Sequence, residues 1–172
     1  NQHRMHIYTF KGDEMDAEPF PYQTVLGIGF YSEKKSLLWV MLLDSHGTTP
    51  ITRLMTFNPG KTTTNSLTLN QDVGYRAVVE ESGSYVVGTR TLYQFDQTGT
   101  RVAEKMVYGW SLQDVKVNAA GRASFLFAPA SYTDENDHIS MLWYIGYDGT
   151  TEYRFSLPNG CIRAVIGDDD RI

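Results

Sequence analysis

A few stretches of this chain carry residue types that could do chemistry. NPGKTTT, residues 58–64, contains Gly-Lys-Thr, the sequence that ends a phosphate-binding loop. Such a loop also needs a glycine five residues before Gly60, where Met55 stands. It needs a helix to follow, so that free N–H groups of the first turn face the phosphate, whereas TTTNSLTL is a β-prone run. Gly60 is therefore read as the turn of a hairpin. Two acidic clusters, DENDH at 134–138 and GDDD at 167–170, offer Asp134, Asp137, His138, Asp168, Asp169 and Asp170 as candidate metal ligands. Calcium takes about six to eight oxygens, and a helix–loop–helix calcium loop places Gly sixth and Glu twelfth. Counted from Asp134, those places hold Ile139 and Ile145. Both clusters are read as solvated turns, with adventitious calcium the one metal expected of them.

The histidines are His3, His6, His46 and His138. His3 and His6 stand an odd number of residues apart, so on a strand they point to opposite faces and share no metal. His46 and His138 fall in two long loops expected to emerge on one side of the fold, and are read as loop polarity. The lone cysteine, Cys161, follows Asn159–Gly160 and enters the apolar run CIRAVI, where a small buried hydrophobe is expected. One cysteine excludes an internal disulfide and leaves the redox compartment open. Trp39, Trp110 and Trp143, with Tyr31, Tyr93, Tyr108 and Tyr144, could line a carbohydrate site, but core packing is the commoner use of such residues. No Ser, His and acid arrangement suggests itself. No catalytic or cofactor-binding residue is assigned.

The elements that must position these residues are strands. The 172 residues suffice for one domain with a sizeable core. Aromatics make up 13%, with 11 Tyr and 15 Gly, a mix that favours strands and tight turns. The net charge is −5 with both signs interspersed, which excludes the basic patch of a nucleic-acid binder. The longest apolar run, LLWVMLL at 37–43, suits a buried strand and is too short to span a membrane. No signal peptide is visible, and the chain opens on Asn1 rather than Met, so the true N-terminus is expected to lie upstream, which leaves a leader or anchor open.

One phrase recurs along the chain. LMTFNPGKTT (54–63), LYQFDQTGTR (92–101), LWYIGYDGTT (142–151) and the looser IYTFKGDE (7–14) each join an apolar run to a Gly turn and a polar run. Their glycines, Gly12, Gly60, Gly99 and Gly149, are 48, 39 and 50 residues apart. A second marker keeps the same rhythm: GFYSEKKSLLWVM (29–41), YRAVVEESGSYVV (75–87), VKVNAAGRASFLF (115–127) and IRAVIGDDDRI (162–172). The longer intervals hold an extra loop at one place, DSHGTTPI at 44–51 and ASYTDENDH at 130–138. A period near 40 residues with insertions confined to one loop marks a repeat architecture. The clearest unit reads as four strands, 75–80, 85–90, 92–97 and 101–108. No run of helical periodicity with caps occurs.

The expected fold is therefore all-β: one β-propeller domain, or part of one, built of four-stranded antiparallel blades. Blades are expected at about 24–69, 72–108 and 111–157, with partial blades at 1–23 and 161–172. A β-sandwich is the alternative, though it does not explain matching hairpins in matching order. Edge strands left at the two partial blades are expected to pair with missing blades or with a second copy, the alternative being that the chain's own first and last strands pair and close a four-bladed ring. The core is expected to include Val78, Val86, Leu92, Phe95, Val117, Phe125, Leu142, Ile145 and Val165.

SYVVGTRTLYQFDQTGTRV (84–102) resembles the repeat of PQQ-like β-propellers, matching it at Leu92, Tyr93, Asp96, Thr98 and Gly99. Quinoprotein enzymes of that kind follow the turn with a Trp that docks blades, where this chain has Val102 and Ala103. They also use adjacent cysteines, and this chain has one, so PQQ is not expected. The chain is similar in style to bacterial propellers held outside the membrane by an N-terminal anchor, which implies an extracytoplasmic location. The function expected is a non-catalytic binding or scaffold module with a protein or glycan partner. The alternative is a propeller enzyme, quinoprotein-like or glycan-active, whose site residues lie largely outside this segment. A sialidase-like turn, Ser-x-Asp-x-Gly-x-Thr-Trp, is not met by FDQTGT or YDGTT.

Overall fold

The computed structural model describes residues 3–9, 11–32, 34–35, 37–58, 63–118, 122–130, 140–145, 152–157 and 163. Among them are fourteen strands and no helix. β1 (His3–Tyr8) and β2 (Glu14–Phe20) form a hairpin. β3 (Gln23–Ser32), β4 (Leu37–Asp44), β5 (Ile51–Phe57) and β6 (Thr63–Asn70) form a four-stranded sheet in chain order. β7 (Gly74–Glu80), β8 (Gly83–Gly88), β9 (Thr91–Asp96) and β10 (Arg101–Met106) form a second, and β11 (Trp110–Val117), β12 (Ala123–Pro129), β13 (Ser140–Ile145) and β14 (Glu152–Leu157) a third. The chain is thus all-β, made of antiparallel four-stranded sheets of neighbouring strands. It divides into two compact units, residues 1–89 with 95–101, and residues 90–94 with 102–172.

Strand ends follow local chemistry. β8 starts two residues before its expected start, because Glu80 pairs with Gly83 and leaves a two-residue turn, Glu81–Ser82. Gly83 is needed there: a Cβ at this position would stand 2.5 Å from the Phe95 carbonyl oxygen.

A single turn chemistry recurs. In the β1–β2 hairpin, Thr9 N donates to Asp13 O at 2.8 Å and Gly12 N to Thr9 O at 3.0 Å. In the β9–β10 hairpin, Asp96 N donates to Thr100 O at 2.9 Å and Gly99 N to Asp96 O at 3.0 Å. Each glycine has positive φ, 91° and 83°, which a side chain would strain. The side chain that opens the turn caps it. Thr9 Oγ1 accepts from Lys11 N and Asp13 N at 3.2 Å each, and Asp96 Oδ1 accepts from Thr98 N and Thr100 N at 2.9 Å each. The same capping recurs between β11 and β12, where Asn118 N donates to Arg122 O and Asn118 Oδ1 accepts from Arg122 N, both at 3.0 Å. Gly12 and Gly99 therefore occupy equivalent hairpins, while Gly60 and Gly149 lie outside the described residues.

β8 and β12, second strands of their sheets, are flanked on both edges and buried on both faces. All of β8 is buried, as is Ala123–Ala128 of β12. In the first unit, Leu38, Val40 and Leu42 of β4 pack with Phe57 and Phe20, flanked by Met5, Ile7 and Met55 from β1 and β5. On the opposite face of the sheet the Trp39 ring lies across Gly27 and Gly29 of β3, where no Cβ keeps it away. β3 and β4 lie against β7, and a Cβ on Gly74 at the start of β7 would meet Thr52, Val86 and Met41. In the second unit, Phe125 and Phe127 stack at 6.4 Å and Phe127 meets Trp143 edge-on at 6.4 Å.

Val86, Leu92, Phe95, Phe125 and Leu142 are buried as expected. Val78 and Val117 are only half-buried: on β7 the buried side chains are Ala77 and Val79, on the opposite face from Val78. Val165 lies outside the described residues, as does the side chain of Ile145.

Between the first two four-stranded sheets, Asp72 fastens a corner. Its Oδ1 accepts from Thr89 Oγ1 at 2.8 Å, and its carbonyl oxygen accepts from Thr52 Oγ1 at 3.2 Å. Thr52 Oγ1 in turn accepts from Gly74 N at 3.0 Å. Asp72 and Thr52 are both buried, and the Asp72 carboxylate fills the space where a Cβ on Gly88 would stand.

Candidate functional site

Two concavities in the first unit are candidates. The first is a cleft of about 280 Å³ at the end of β7, lined by Tyr31, Leu37, Thr56, Val79, Glu80 and Asp96 among others. The two-residue turn between β7 and β8 places Glu80 and Glu81 at its rim. Lys35, from the β3–β4 turn, reaches across to Glu81 with Nζ–Oε2 at 2.7 Å. Hydrogen bonds from Lys35 and Ser32 hold the Glu81 carboxyl below the usual range. Glu80 is pushed the other way, first by desolvation and then by the negative charge of Glu81. Asp96 is held low by hydrogen bonds from the Thr98 hydroxyl and the Thr100 backbone. The cleft thus presents a half-buried tyrosine and a set of acceptors, suited to hydroxyl or ammonium groups.

The second is an apolar groove of about 390 Å³ lined by Met5, Ile7, Tyr8, Ile28, Phe30 and Trp39 among others. His6 also lines it; its ring stacks on Tyr8 at 6.1 Å, and its Nδ1 stands 3.4 Å from Glu14 Oε1. Tyr8, Ile28 and Phe30 are all exposed.

The structure does not gather the candidates named from sequence. Asp134, Asp137, His138, Asp168, Asp169, Asp170 and Cys161 lie outside the described residues. Among the described residues no group of three or more His, Cys, Asp or Glu could hold a metal ion. His46 is an exposed loop residue, edge-on to Tyr22 at 5.1 Å, with Nδ1 3.8 Å from Asp44 Oδ1. The aromatics divide by role. Trp143 and Tyr93 are core, with the Arg154 guanidinium over the Trp143 ring at 4.0 Å, whereas Trp39 and Tyr31 each line a concavity. Tyr108 is exposed and Trp110 half-buried; the side chain of Tyr144 lies outside the described residues. Sequence reasoning missed Glu80, Glu81 and Lys35. The available signal was two adjacent acids in a turn facing two adjacent lysines in the turn before.

The chain matches no protein-family model, and no curated protein matches it either. No helix among the described residues is long and apolar enough to cross a membrane.

Proposed function

We propose that the chain is a run of β-propeller blades serving as a binding or scaffold module. One observation carries the reading: three consecutive four-stranded sheets, each of strands in chain order, with the same capped glycine turn in the β1–β2 and β9–β10 hairpins. Such a sheet cannot bury its faces alone, and stacking on its neighbours does so. The resemblance of residues 84–102 to the PQQ-like repeat supports the same reading.

The module's ligand is a protein or glycan surface that enters the acid-rimmed cleft. Tyr31 offers an apolar ring, and Glu80, Asp96 and Gln97 offer acceptors to hydroxyl or ammonium groups. Amide NMR spectra recorded during titration with a neutral oligosaccharide mixture and with a lysine-rich peptide test this. The expected result is a shift confined to residues near 31, 80–84 and 96–97 with one of the two, lost in Tyr31→Ala. Shifts elsewhere, or none with either probe, overturn the assignment of the cleft.

A further inference from the structure

The carboxylates of the cleft beside the β7–β8 turn are not equivalent. Asp96 Oδ1 already accepts from Thr98 N, the Thr98 hydroxyl and Thr100 N, at 2.9, 2.7 and 2.9 Å. Glu81 holds the Lys35 ammonium at 2.7 Å. The Glu80 carboxylate is the one left over. Among the described residues it meets no hydrogen-bond donor and no cation, and the charge of Glu81 works against its own. Lys35 offsets Glu81 alone, so the cleft stays negative, and Glu80 is where an incoming cation would be matched.

The rest of the lining is mixed. Tyr31 of β3, Leu37 of β4 and Val79 of β7 are apolar or aromatic; Thr56 of β5, Ser84 of β8 and Gln97 are polar. Tyr31 arrives there through a β-bulge. Phe30 pairs with Leu38 and Ser32 with Leu37, which leaves Tyr31 as the extra residue of β3. A bulge of this kind re-aims a side chain. A tyrosine and an unmatched carboxylate in one cavity both attract a cation, one through its ring and one through its charge. Leu37 and Val79 suit the methylenes of a lysine, whose stem lies on apolar surface while its head stays polar. An ammonium is a compact point with three donors, which fits polar groups brought round a cavity by several strands. A guanidinium instead needs a carboxylate in its own plane, and a neutral sugar leaves the surplus charge unmatched. We infer that the cleft takes a lysine side chain of a partner protein, with its ammonium on Glu80 and its stem against Tyr31 and Leu37. The inference deepens the proposed function and rests on its assignment of the cleft.

Amide NMR titration with a blocked peptide carrying a single lysine among alanines tests it. Shifts are expected near 31, 80–84 and 96–97. The same peptide with its lysine Nε-acetylated should give none, and its arginine form should bind more weakly. Glu80 is an exposed residue at a strand end, so Glu80→Gln should fold. It should weaken binding about tenfold, the worth of one hydrogen bond to a charged group. Lys35→Met removes the cation at the rim and should tighten binding. Equal binding of the acetylated peptide, or an unchanged affinity in Glu80→Gln, would overturn the inference. So would 1-aminobutane bound as tightly as the peptide, since the site would then take a free amine rather than a protein's lysine. Two further results separate this inference from the reading beneath it. If a neutral oligosaccharide mixture shifts the cleft residues and the lysine peptide does not, the lysine inference alone has failed. If neither shifts them, the assignment of the cleft has failed with it.

Discussion

β3 and β11 both open a four-stranded sheet, and their apolar residues end in opposite environments. Ile28 of β3 pairs with Val40, and Val115 of β11 pairs with Phe125; Val40 and Phe125 are each wholly buried. Yet Val115 is 9% exposed and Ile28 60%. The two strands share a position and an apolar side chain, so neither the strand's own sequence nor its pairing explains the difference. Burial at this position depends on what lies over the strand.

Truncation separates the two environments most sharply. Phe125 is fully buried and stacked on Phe127, so Phe125→Ala should cost about 3–5 kcal/mol. Phe30→Ala, at a residue 58% exposed, should change the stability of the chain by less than about 1 kcal/mol. Urea denaturation checks both. Equal losses would mean that Phe30 is packed after all, and the contrast between β3 and β11 would be void.

The Asp72 corner should show a smaller effect on the other face of the β3–β6 sheet. Asp72→Ala removes a part-buried hydrogen bond between the buried Asp72 carboxylate and the Thr89 hydroxyl, which should cost about 1–3 kcal/mol. Gly88→Ala should also destabilise, because its new methyl meets the Asp72 carboxylate. In the double variant Asp72→Ala with Gly88→Ala that clash is gone, so the two losses should sum to less than their separate values. Full additivity in thermal melts would show that the carboxylate does not hold this corner.

Much of this fold was legible in the sequence because a strand repeat writes itself twice. Apolar alternation marks the strands, and a glycine at fixed spacing marks the turn, as at Gly12 and Gly99. The capping acceptors at Thr9, Asp96 and Asn118 were equally visible, three positions before a glycine, but their differing side chains hide a shared role. Half-burial of Val78 was not legible, since Ala77, Val78 and Val79 are all apolar and alternation alone does not say which face is covered. The cleft was harder still. Tyr31, Glu80 and Asp96 are far apart in sequence, and their meeting depends on how β7 lies against β3 and β4. The metal candidates read from acidic runs fall outside the described residues, so composition alone speaks for them.

The two turns with one geometry should differ in their response to acid, and this is the smallest effect expected. Thr9 caps its turn with a hydroxyl, which does not titrate in this range, and Asp96 caps the equivalent turn with a carboxylate. Hydrogen bonds from Thr98 and Thr100 favour the charged form of Asp96 and lower its pKa in the folded chain. A group whose pKa is lower folded than unfolded adds stability that is complete above the unfolded value and disappears as pH falls through the folded one. Glu80 works in the opposite sense. Its pKa is raised by desolvation and by Glu81, so its contribution worsens as pH climbs from the unfolded to the folded value. Urea midpoints measured across the acid range should therefore fall less steeply in Asp96→Asn than in the wild type, while Thr9→Ala leaves the slope unchanged. Glu80→Gln should raise the midpoint slightly at neutral pH, where the native Glu80 carries its full penalty. If Thr9→Ala and Asp96→Asn change the slope alike, the charge at Asp96 contributes nothing beyond the hydrogen bonds that both turns share.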